Sequence, residues 1–219
     1  MAVSQRKVAN SAIRRLSLYF RVLEELAHEG EATASSEILA SRTGTTAAQV
    51  RKDLSQFGSF GKRGLGYEVE PLMKELRGLL GLSRRWKVAL VGAGRLGAAL
   101  IEYPHFREHG FEFVAAFDSD PAKIGRRLHS LTIQPSADLA QTLASSGVEI
   151  AILTVPAAAA QEVADAVVAA GVRGILNFAP VRIRVPEGVS VNGVNMTVEL
   201  EALTFALRLG AGTDRPRKE

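Results

Sequence analysis

Apolar residues in the first 28 positions recur every three or four residues, which is the period of an α-helix with one buried face. This pattern predicts a helix over residues 11–28 whose inward face carries Ile13, Leu16, Phe20, Leu23 and Ala27. Gly30 follows and is expected to end that helix. The chain therefore opens with an amphipathic helix that needs a core to pack against.

Two shorter helices are expected next, with a glycine turn between them. Ser35 can cap the first of them, which would carry Ile38 and Leu39 inward. The segment "RTGT" at 42–45 makes a tight connection, and Thr46 and Gln49 have the spacing of a capping box at the start of the next helix. Two helices joined in this way form a helix-turn-helix unit.

The third helix has two contrasting faces. Val50, Leu54 and Phe57 share an apolar face, whereas the opposite face is small, polar and basic. Small outward residues let a helix enter a DNA major groove, where basic and amide side chains reach phosphates and base edges. The residues of this helix expected to contact DNA are Thr46, Ala48, Gln49, Arg51, Lys52 and Ser55.

A glycine-rich segment follows the third helix. Its four glycines at 58, 61, 64 and 66 permit a tight hairpin with Lys62 and Arg63 at the tip, and Tyr67 and Val69 would return as a strand. Ser59, Lys62 and Arg63 are expected to contact DNA from this hairpin. Helix-turn-helix and hairpin together predict a winged helix. The competing interpretation is that the basic residues form an ordinary solvated face.

Charge and composition agree with a basic domain joined to a neutral one. Residues 1–86 hold 14 basic and 9 acidic side chains, whereas the remainder holds 13 and 14. An excess of positive charge in one domain favours a polyanionic partner. The chain has no cysteine, which suits a cytoplasmic location, and no apolar run approaches the roughly 18 residues of a membrane span.

Beyond residue 86 short apolar strands alternate with helices, which is typical of a parallel α/β sheet. A strand at 87–91 leads into a G-x-G-x-x-G motif that opens a helix, the context in which this motif predicts dinucleotide binding. Asp118 ends the next strand and can accept hydrogen bonds from both ribose hydroxyls of adenosine, and its charge would repel a 2′-phosphate, which favours NAD(H) over NADP(H). The nearby Arg126 and Arg127 leave NADP(H) open. The expected contacts of the motif are Gly92, Ala93, Gly94, Arg95, Leu96 and Gly97.

Two further apolar strands, predicted at 150–156 and 175–180, end at the same edge of the sheet. In doubly wound sheets the ligand binds outside the carboxyl ends of the strands. An apolar pocket there would desolvate a cationic oxidised nicotinamide more severely than the neutral reduced ring, and so favours NADH. The residues expected to line it are Thr154, Val155, Pro156, Asn177, Phe178 and Ala179.

Several motifs together resemble one family, the bacterial redox-sensing transcriptional repressor Rex. They are "AAQVRKDLSQFGSFGKRGLGY", "VGAGRLGAAL", "YP" at 103–104, "FDSDP", "LTVP", "GILNFAP" and "VELEALTFAL". The resemblance as a whole runs over about residues 10–209. The resemblance implies a homodimer that binds double-stranded operator DNA with an inverted repeat. It also implies that NADH binding releases the DNA, whereas NAD+ permits operator binding.

The resemblance further implies a switch contact and a swapped helix. Family members bring an acidic residue from just before the last helix to an N-terminal arginine and a tyrosine near the nicotinamide. Arg21 and Tyr103 match those partners, while Asn195 stands at the acidic position. The expected organisation is a winged-helix domain at 1–82, a Rossmann domain at 83–194, a swapped helix at 195–210 and a disordered tail at 211–219.

Three alternatives remain open from the residues themselves. A nicotinamide-dependent oxidoreductase would need a proton donor or base beside the ring, for which Tyr103, His105 and His109 are candidates. A CoA-binding domain could use the same glycine loop. A DNA-binding protein with a purely structural Rossmann domain would bind no dinucleotide. No metal site is expected from the four scattered histidines.

Overall fold

The computed structural model describes residues 10–58, 60–62 and 65–211. Contacts divide the chain into two compact units, Met1–Arg84 and Arg85–Glu219. Within the described ranges, no helix combines the length and the apolar character that a membrane span requires.

The first unit packs helices against a small antiparallel sheet. Strand β3 lies between β1 and β2, and β2 and β3 form the two arms of a hairpin. This is the predicted winged helix. The elements are α1 (Asn10–His28), β1 (Thr33–Ala34), α2 (Ser36–Thr43), α3 (Ala47–Ser55), β2 (Gly61–Lys62), β3 (Gly66–Glu68) and α4 (Val69–Leu79).

One apolar core joins these elements. Tyr19 and Leu23 of α1 are fully buried and belong to the same cluster as Leu54 of α3 and Leu76 of α4. Burying a leucine side chain stabilises a fold by about 1.5–3 kcal/mol. Helix α3 therefore packs its apolar face into the core that it shares with α1 and α4, as its periodicity predicts.

Three expectations for this unit were wrong. Ile13 is 43% exposed and Ile38 is 39% exposed. The buried faces of α1 and α2 include Ala12 and Ser36 in place of these two isoleucines. Val69 does not extend the returning strand. Its N–H donates to the Ala32 carbonyl at 3.0 Å, and α4 begins at Val69, whose side chain enters the core.

The second unit contains a seven-stranded sheet in the order β10-β9-β8-β4-β5-β7-β6, parallel except for β6. From the central β4 the chain winds first towards β5 and β7 and later towards β8, β9 and β10. This is the doubly wound Rossmann arrangement, with its switch point between β4 and β8. The strands are β4 (Trp86–Val91), β5 (Phe111–Asp118), β6 (Arg127–Leu128), β7 (Leu131–Pro135), β8 (Ile150–Leu153), β9 (Gly174–Asn177) and β10 (Ser190–Gly193).

Alternate residues of the central strand enter different cores. Ala89 and Val91 pack in the larger cluster, whereas Val88 and Leu90 pack in a second cluster that contains Ile101. Both faces of the sheet are covered, which a parallel sheet requires. The helices are α5 (Arg95–Glu102), α6 (Pro104–Glu108), α7 (Leu139–Ser146), α8 (Ala160–Ala169) and α9 (Met196–Ala211), with 3₁₀ turns at Ser136–Asp138 and Ala157–Ala159.

The last helix differs from the others because its large apolar side chains are exposed to solvent in the single chain. Every large apolar side chain described on α9 is more than half exposed within the single chain. These side chains are Met196, Val198, Leu200, Leu203, Phe205, Leu207 and Leu209. The tail predicted to be disordered falls, from residue 212 onward, outside the described residues.

Candidate dinucleotide site and nucleic-acid interface

The glycine loop lies at the switch point of the sheet. Gly92 follows β4 with φ at 103°, and its N–H donates to the Phe117 carbonyl at 2.8 Å. A Cβ at Gly92 would lie 2.8 Å from the main chain of Thr154. A side chain there would be strained and would collide, so the turn requires glycine.

Close packing also explains the third glycine of the motif. A Cβ at Gly97 would overlap the carbonyl oxygen of Gly92 and would lie 3.0 Å from the side chains of Leu90 and Thr154. The Thr154 hydroxyl donates to the Gly92 carbonyl at 2.6 Å. Thr154 therefore ties the loop after β8 to the glycine loop across the switch point.

Gly94 has a different environment from the other two. It is the N-cap residue of α5, and a Cβ added there would meet no atom within 4 Å. Space is therefore open beside the backbone at the positive end of a helix, where a pyrophosphate is stabilised. The side chains of Arg95 and Leu96, which follow in the first turn, are exposed.

Asp118 ends β5 beside this loop. Its Oδ2 accepts from the Ala93 N–H at 2.8 Å and from Lys123 Nζ at 2.9 Å, and its Oδ1 accepts from the Asp120 N–H at 2.9 Å. Burial alone would raise the pKa of Asp118, but the hydrogen bonds from Asp120, Lys123 and Ala93 outweigh burial and lower it. The side chain is therefore an ionised acceptor.

Three donors leave Asp118 about one free acceptor position, since a carboxylate has about four. The sequence predicts contacts to two ribose hydroxyls, so the second hydroxyl would have to replace a donor or bind Lys123. Lys123 was missed by sequence reasoning. The signal was its position five residues after Asp118 in "DSDPAK".

The two other strands end earlier than predicted. β8 ends at Leu153 and β9 at Asn177, so Thr154, Val155 and Pro156 belong to a loop. The Phe178 N–H donates to the Leu153 carbonyl at 2.9 Å, which holds the two strand ends together. The predicted wall residues therefore lie along one edge of the sheet.

Asn177 is buried, with 2% of its surface exposed. Its Oδ1 accepts from the Ala179 N–H at 3.0 Å, and its Nδ2 donates to the Val181 carbonyl at 2.8 Å. Both ends of the amide are thus used in hydrogen bonds that hold the loop after β9. Any influence of this side chain on a bound ring would act through the position of that loop.

A cleft of about 930 Å³ opens beside this loop. It brings together Asn177 and Ala179 from the predicted nicotinamide walls with Asn195 from the predicted switch. Oδ1 of Asn195 accepts from the Thr197 N–H at 3.1 Å and so caps the start of α9. The same hydrogen bond is available to an aspartate at this position.

Tyr103 lies at the other end of α5. Nine residues of helical rise place it about 13 Å from Gly94 along the helix axis. Its ring packs edge-on against His105 and Phe106, at centroid distances of 5.0 and 5.5 Å. Within the second unit Tyr103 and Asn195 therefore line different clefts.

Arg21, the third predicted switch residue, belongs to the first unit. Its guanidinium donates to Glu24 at 2.8 Å one turn further along α1. Arg77 of α4 approaches the same carboxylate at 3.6 Å and lies over the Phe20 ring. Arg21 is therefore part of a small charged cluster where α1 meets α4.

The capping box at the start of α3 is only half formed. The Thr46 hydroxyl accepts from the Gln49 N–H at 3.1 Å, as predicted. The Gln49 side chain does not return to the cap but donates through Nε2 to Asp53 at 2.7 Å. Ala48, Lys52 and Ser55 are exposed, so the predicted outward face is open.

Arg51 is exposed but tied to the neighbouring helix. Its Nη1 donates to the Ser36 hydroxyl at 2.7 Å and lies 3.3 Å from the Glu37 carboxylate. Lys52 differs, because its ammonium group forms no ion pair with the described part of the chain. Of the two adjacent basic side chains, Lys52 is the one whose charge is left uncompensated there.

The wing is described only in part. Strand β2 pairs Lys62 with Gly66 of β3, which sets the hairpin register. Gly66 has φ at 80°, and a Cβ there would lie 2.6 Å from the Ala34 carbonyl oxygen. Ser59, Arg63 and the side chain of Lys62 fall outside the described residues, so their predicted DNA contacts stay predictions.

A buried charge on the inner face of α3 was missed by sequence reasoning. Asp53 is 0% exposed, and its carboxylate accepts from the Arg15 guanidinium, the Tyr19 hydroxyl at 2.9 Å and the Gln49 amide at 2.7 Å. Burial alone would raise the pKa of Asp53, but the hydrogen bonds from Arg15, Gln49 and Tyr19 outweigh burial and lower it. Burial likewise raises the pKa of Tyr19, to about 12.

Acid is expected to unfold the first unit in part through Asp53. A lowered pKa means that its stabilisation is complete above the ordinary value of 3.8 and is lost as the pH falls through the folded-state value. We expect Asp53→Asn to lose about 3–5 kcal/mol at pH 7, since one partner of a buried pair is removed. The loss should shrink below pH 4 in thermal unfolding followed by circular dichroism. Asp138→Asn, which removes a carboxylate from an exposed position, is the control and should unfold like the parent at pH 7.

Family matches divide the chain in the same way as its fold. Residues 7–55 match a family described as putative DNA-binding protein N-terminus, and residues 83–181 match the CoA binding domain family. The redox-sensing transcriptional repressor Rex of Carboxydothermus hydrogenoformans is 48% identical over 92% of this chain and 97% of that protein. The chain belongs to the Rex family. The Rex repressor of Thermus thermophilus is 50% identical over 92% of this chain and 94% of its own length.

Solved Rex-family structures share the fold over almost the whole chain. The repressor RSP in complex with β-NAD+ and operator DNA has a TM-score of 0.88 and 34% identity, covering 94% of this chain and 95% of RSP. RSP in complex with β-NADH has a TM-score of 0.87 and 33% identity, covering 94% of this chain and 97% of RSP. This Rex-family chain therefore has close relatives that are named as transcriptional repressors.

Proposed function

We propose that this chain is a redox-sensing repressor that binds operator DNA as a homodimer and releases it when NADH binds. The observation that carries the proposal is the glycine loop at the switch point of a Rossmann sheet, in a chain whose other unit is a winged helix. RSP has been solved with operator DNA and β-NAD+ and separately with β-NADH. A chromosomal operator would place the protein in the cytoplasm.

The proposed division of labour follows the two units. The exposed face of α3 and the wing would contact DNA, with Lys52 on phosphate and Arg51 held beside it by Ser36. The glycine loop would hold the pyrophosphate, and Asp118 with Lys123 would bind the adenosine ribose. The loops after β8 and β9 would enclose the nicotinamide.

Homodimer formation would account for α9. Seven large apolar side chains of α9 are exposed to solvent in the single chain. Exposed apolar patches of this kind mark sites of interaction with a partner. A second copy of the chain would cover α9, as the swapped arrangement implied by the Rex resemblance requires. Two first units related by a two-fold axis would then bind two half-sites of an inverted repeat.

Catalysis is not part of the proposal. His105 and His109 lie in and just after α6, at the far end of α5 from the glycine loop. His105 pairs with Glu108 at 2.7 Å, and both side chains are largely exposed. A proton donor must lie within hydrogen-bond reach of the reacting atoms. The placement of these side chains supports binding of the dinucleotide without hydride transfer.

One titration tests the proposed function. An operator would be selected by the protein from random duplexes, labelled, and followed by fluorescence anisotropy at fixed salt while NADH, NAD+ or CoA is added. We expect release by NADH at concentrations where NAD+ has little effect. Release by CoA alone would favour the second candidate, a CoA-responsive regulator, which the match to the CoA binding domain family supports. DNA binding unaffected by all three would exclude both.

Removing the charge of Lys52 should weaken DNA binding through phosphate contacts. In Lys52→Ala, each half-site loses one contact, so the slope of log K against log salt should fall by about 0.9 per half-site. NADH affinity, measured by its fluorescence, should stay within twofold. Lys74→Ala removes the same charge from α4 and should leave the slope unchanged. Equal effects of the two variants would place the phosphate contact elsewhere.

Introducing an acidic residue at position 195 should strengthen the response to NADH. An aspartate keeps the cap on Thr197 and adds a negative charge that can pair with Arg21 if the switch is built as in other family members. We expect Asn195→Asp to increase the factor by which NADH lowers operator affinity, with the total factor inside the ordinary range of about 5- to 150-fold. Asn195→Ser, which also caps, serves as the uncharged control. An identical response in both variants would contradict a charged switch here.

A further inference from the structure

The buried carboxylate of Asp53 fixes the orientation of a side chain on the recognition helix α3. Gln49 lies one helical turn before Asp53, and its Nε2 donates to Asp53 Oδ1 at 2.7 Å. An ionised carboxylate accepts hydrogen bonds but donates none. The nitrogen end of the Gln49 amide must therefore face Asp53, and the oxygen end must face away.

Two further residues hold the Asp53 carboxylate and make this orientation rigid. Arg15 donates to both oxygens of Asp53, with Nη2 at 2.8 Å from Oδ1, and the Tyr19 hydroxyl donates to Oδ2 at 2.9 Å. These donors keep the carboxylate ionised and in place. The Gln49 main chain is also held, because its N–H donates to the Thr46 hydroxyl. Gln49 is thus restrained at both ends while remaining half-buried at the edge of the exposed face.

The groups left on Gln49 are one N–H and the carbonyl oxygen. In the major groove adenine offers an acceptor at N7 and a donor at N6, which this pair matches. Guanine offers two acceptors, N7 and O6, so the fixed oxygen of Gln49 would face another oxygen. We propose that Gln49 selects an adenine in each operator half-site and that Asp53 acts as the positioning residue that makes this choice. The inference rests on the proposed DNA-binding function.

The first test measures base preference at every position of the half-site. Each base pair of the selected operator would be replaced in turn, and affinities would be measured by anisotropy for the parent and for Gln49→Ala. The parent should lose about 5- to 150-fold when one particular adenine is replaced, and Gln49→Ala should lose this preference at that position alone. Replacing the same adenine by 7-deazaadenine, which lacks the N7 acceptor, should weaken the parent and leave Gln49→Ala unaffected.

The second test changes the positioning residue. An asparagine at position 53 can donate as well as accept, so the Gln49 amide is no longer forced to turn its nitrogen towards position 53. The Gln49 amide can then present either end to the groove. We expect Asp53→Asn to lose most of the preference for adenine over guanine at the selected position. Tyr19→Phe removes one hydrogen bond to Asp53 but leaves the carboxylate as an acceptor for Gln49, so it should keep the preference for adenine.

The outcomes separate this inference from the proposed function. If the parent binds no DNA sequence selectively, both fail. If the parent selects an operator but Gln49→Ala keeps every base preference, only the assignment of Gln49 fails. If Gln49→Ala loses the adenine preference but a folded Asp53→Asn retains it, the positioning role of Asp53 is overturned. If Asp53→Asn does not fold, the 7-deazaadenine comparison decides the orientation of Gln49.

Discussion

Gly94→Ala is expected to raise the NADH concentration that releases operator DNA, while leaving operator binding itself intact. The added methyl group meets no atom of the chain within 4 Å, and the φ of Gly94 is −79°, which alanine adopts readily. The fold should therefore be unaffected. In the proposed site the pyrophosphate occupies that open space, so the methyl group would overpack the complex. A cost of about 1–3 kcal/mol would weaken NADH about 5- to 150-fold.

The measurement is NADH affinity by fluorescence titration, together with operator anisotropy with and without NADH. Gly78→Ala is the matched control, because a Cβ there also meets no atom within 4 Å but the residue lies in α4 of the other unit. The control should bind NADH like the parent. A Gly94→Ala protein that still releases DNA at the parent's NADH concentration would show that the dinucleotide does not bind at this loop.

The double variant Leu203→Glu with Leu207→Glu is expected to convert the homodimer into monomers. Both side chains are at least 60% exposed in the single chain. Burial of each in a dimer would contribute about 1.5–3 kcal/mol, and burying an unpaired charge in its place adds a further penalty. The dimer dissociation constant should rise at least about 10³-fold.

Sedimentation velocity over a range of concentrations measures this change, and operator anisotropy measures its consequence. Monomers hold one recognition helix each, so affinity for an inverted repeat should fall with dimer dissociation. Ala144→Glu adds a charge at an exposed position of α7 and should leave the dimer intact. A double variant that stays dimeric would show that the dimer interface does not depend on these two side chains of α9.

Much of the fold could be predicted because periodicity reports burial directly. The alternation of short apolar strands and helices after residue 86 predicted the doubly wound sheet, and the glycine spacing placed the loop after the first strand. Caps were equally readable, since Ser35 and Thr46 each accept from the third N–H of their helix. Local chemistry decided these features, so the order of residues was sufficient.

Side-chain pairing between distant segments could not be predicted in the same way. Asp53 could not be singled out from the sequence, because nothing in its neighbourhood reveals that Arg15, 38 residues earlier, contacts it in the core. Asp118 was read as a free acceptor, although the Ala93 N–H and Lys123 already bind it. Such contacts depend on how elements pack, which periodicity does not encode.

The sequence by itself determined the two-unit organisation, the winged helix, the Rossmann sheet and the family, because these follow from spacing and burial along single elements. Tertiary structure alone decided which side chains are free to bind. In the folded chain Asp53 is buried and accepts a hydrogen bond from Gln49, and the Asn177 amide donates to the loop that follows its own strand. The apolar side chains of α9 remain exposed. The physical reason is that the partners of a hydrogen-bonding group or an apolar side chain are the groups that lie next to it once the elements have packed.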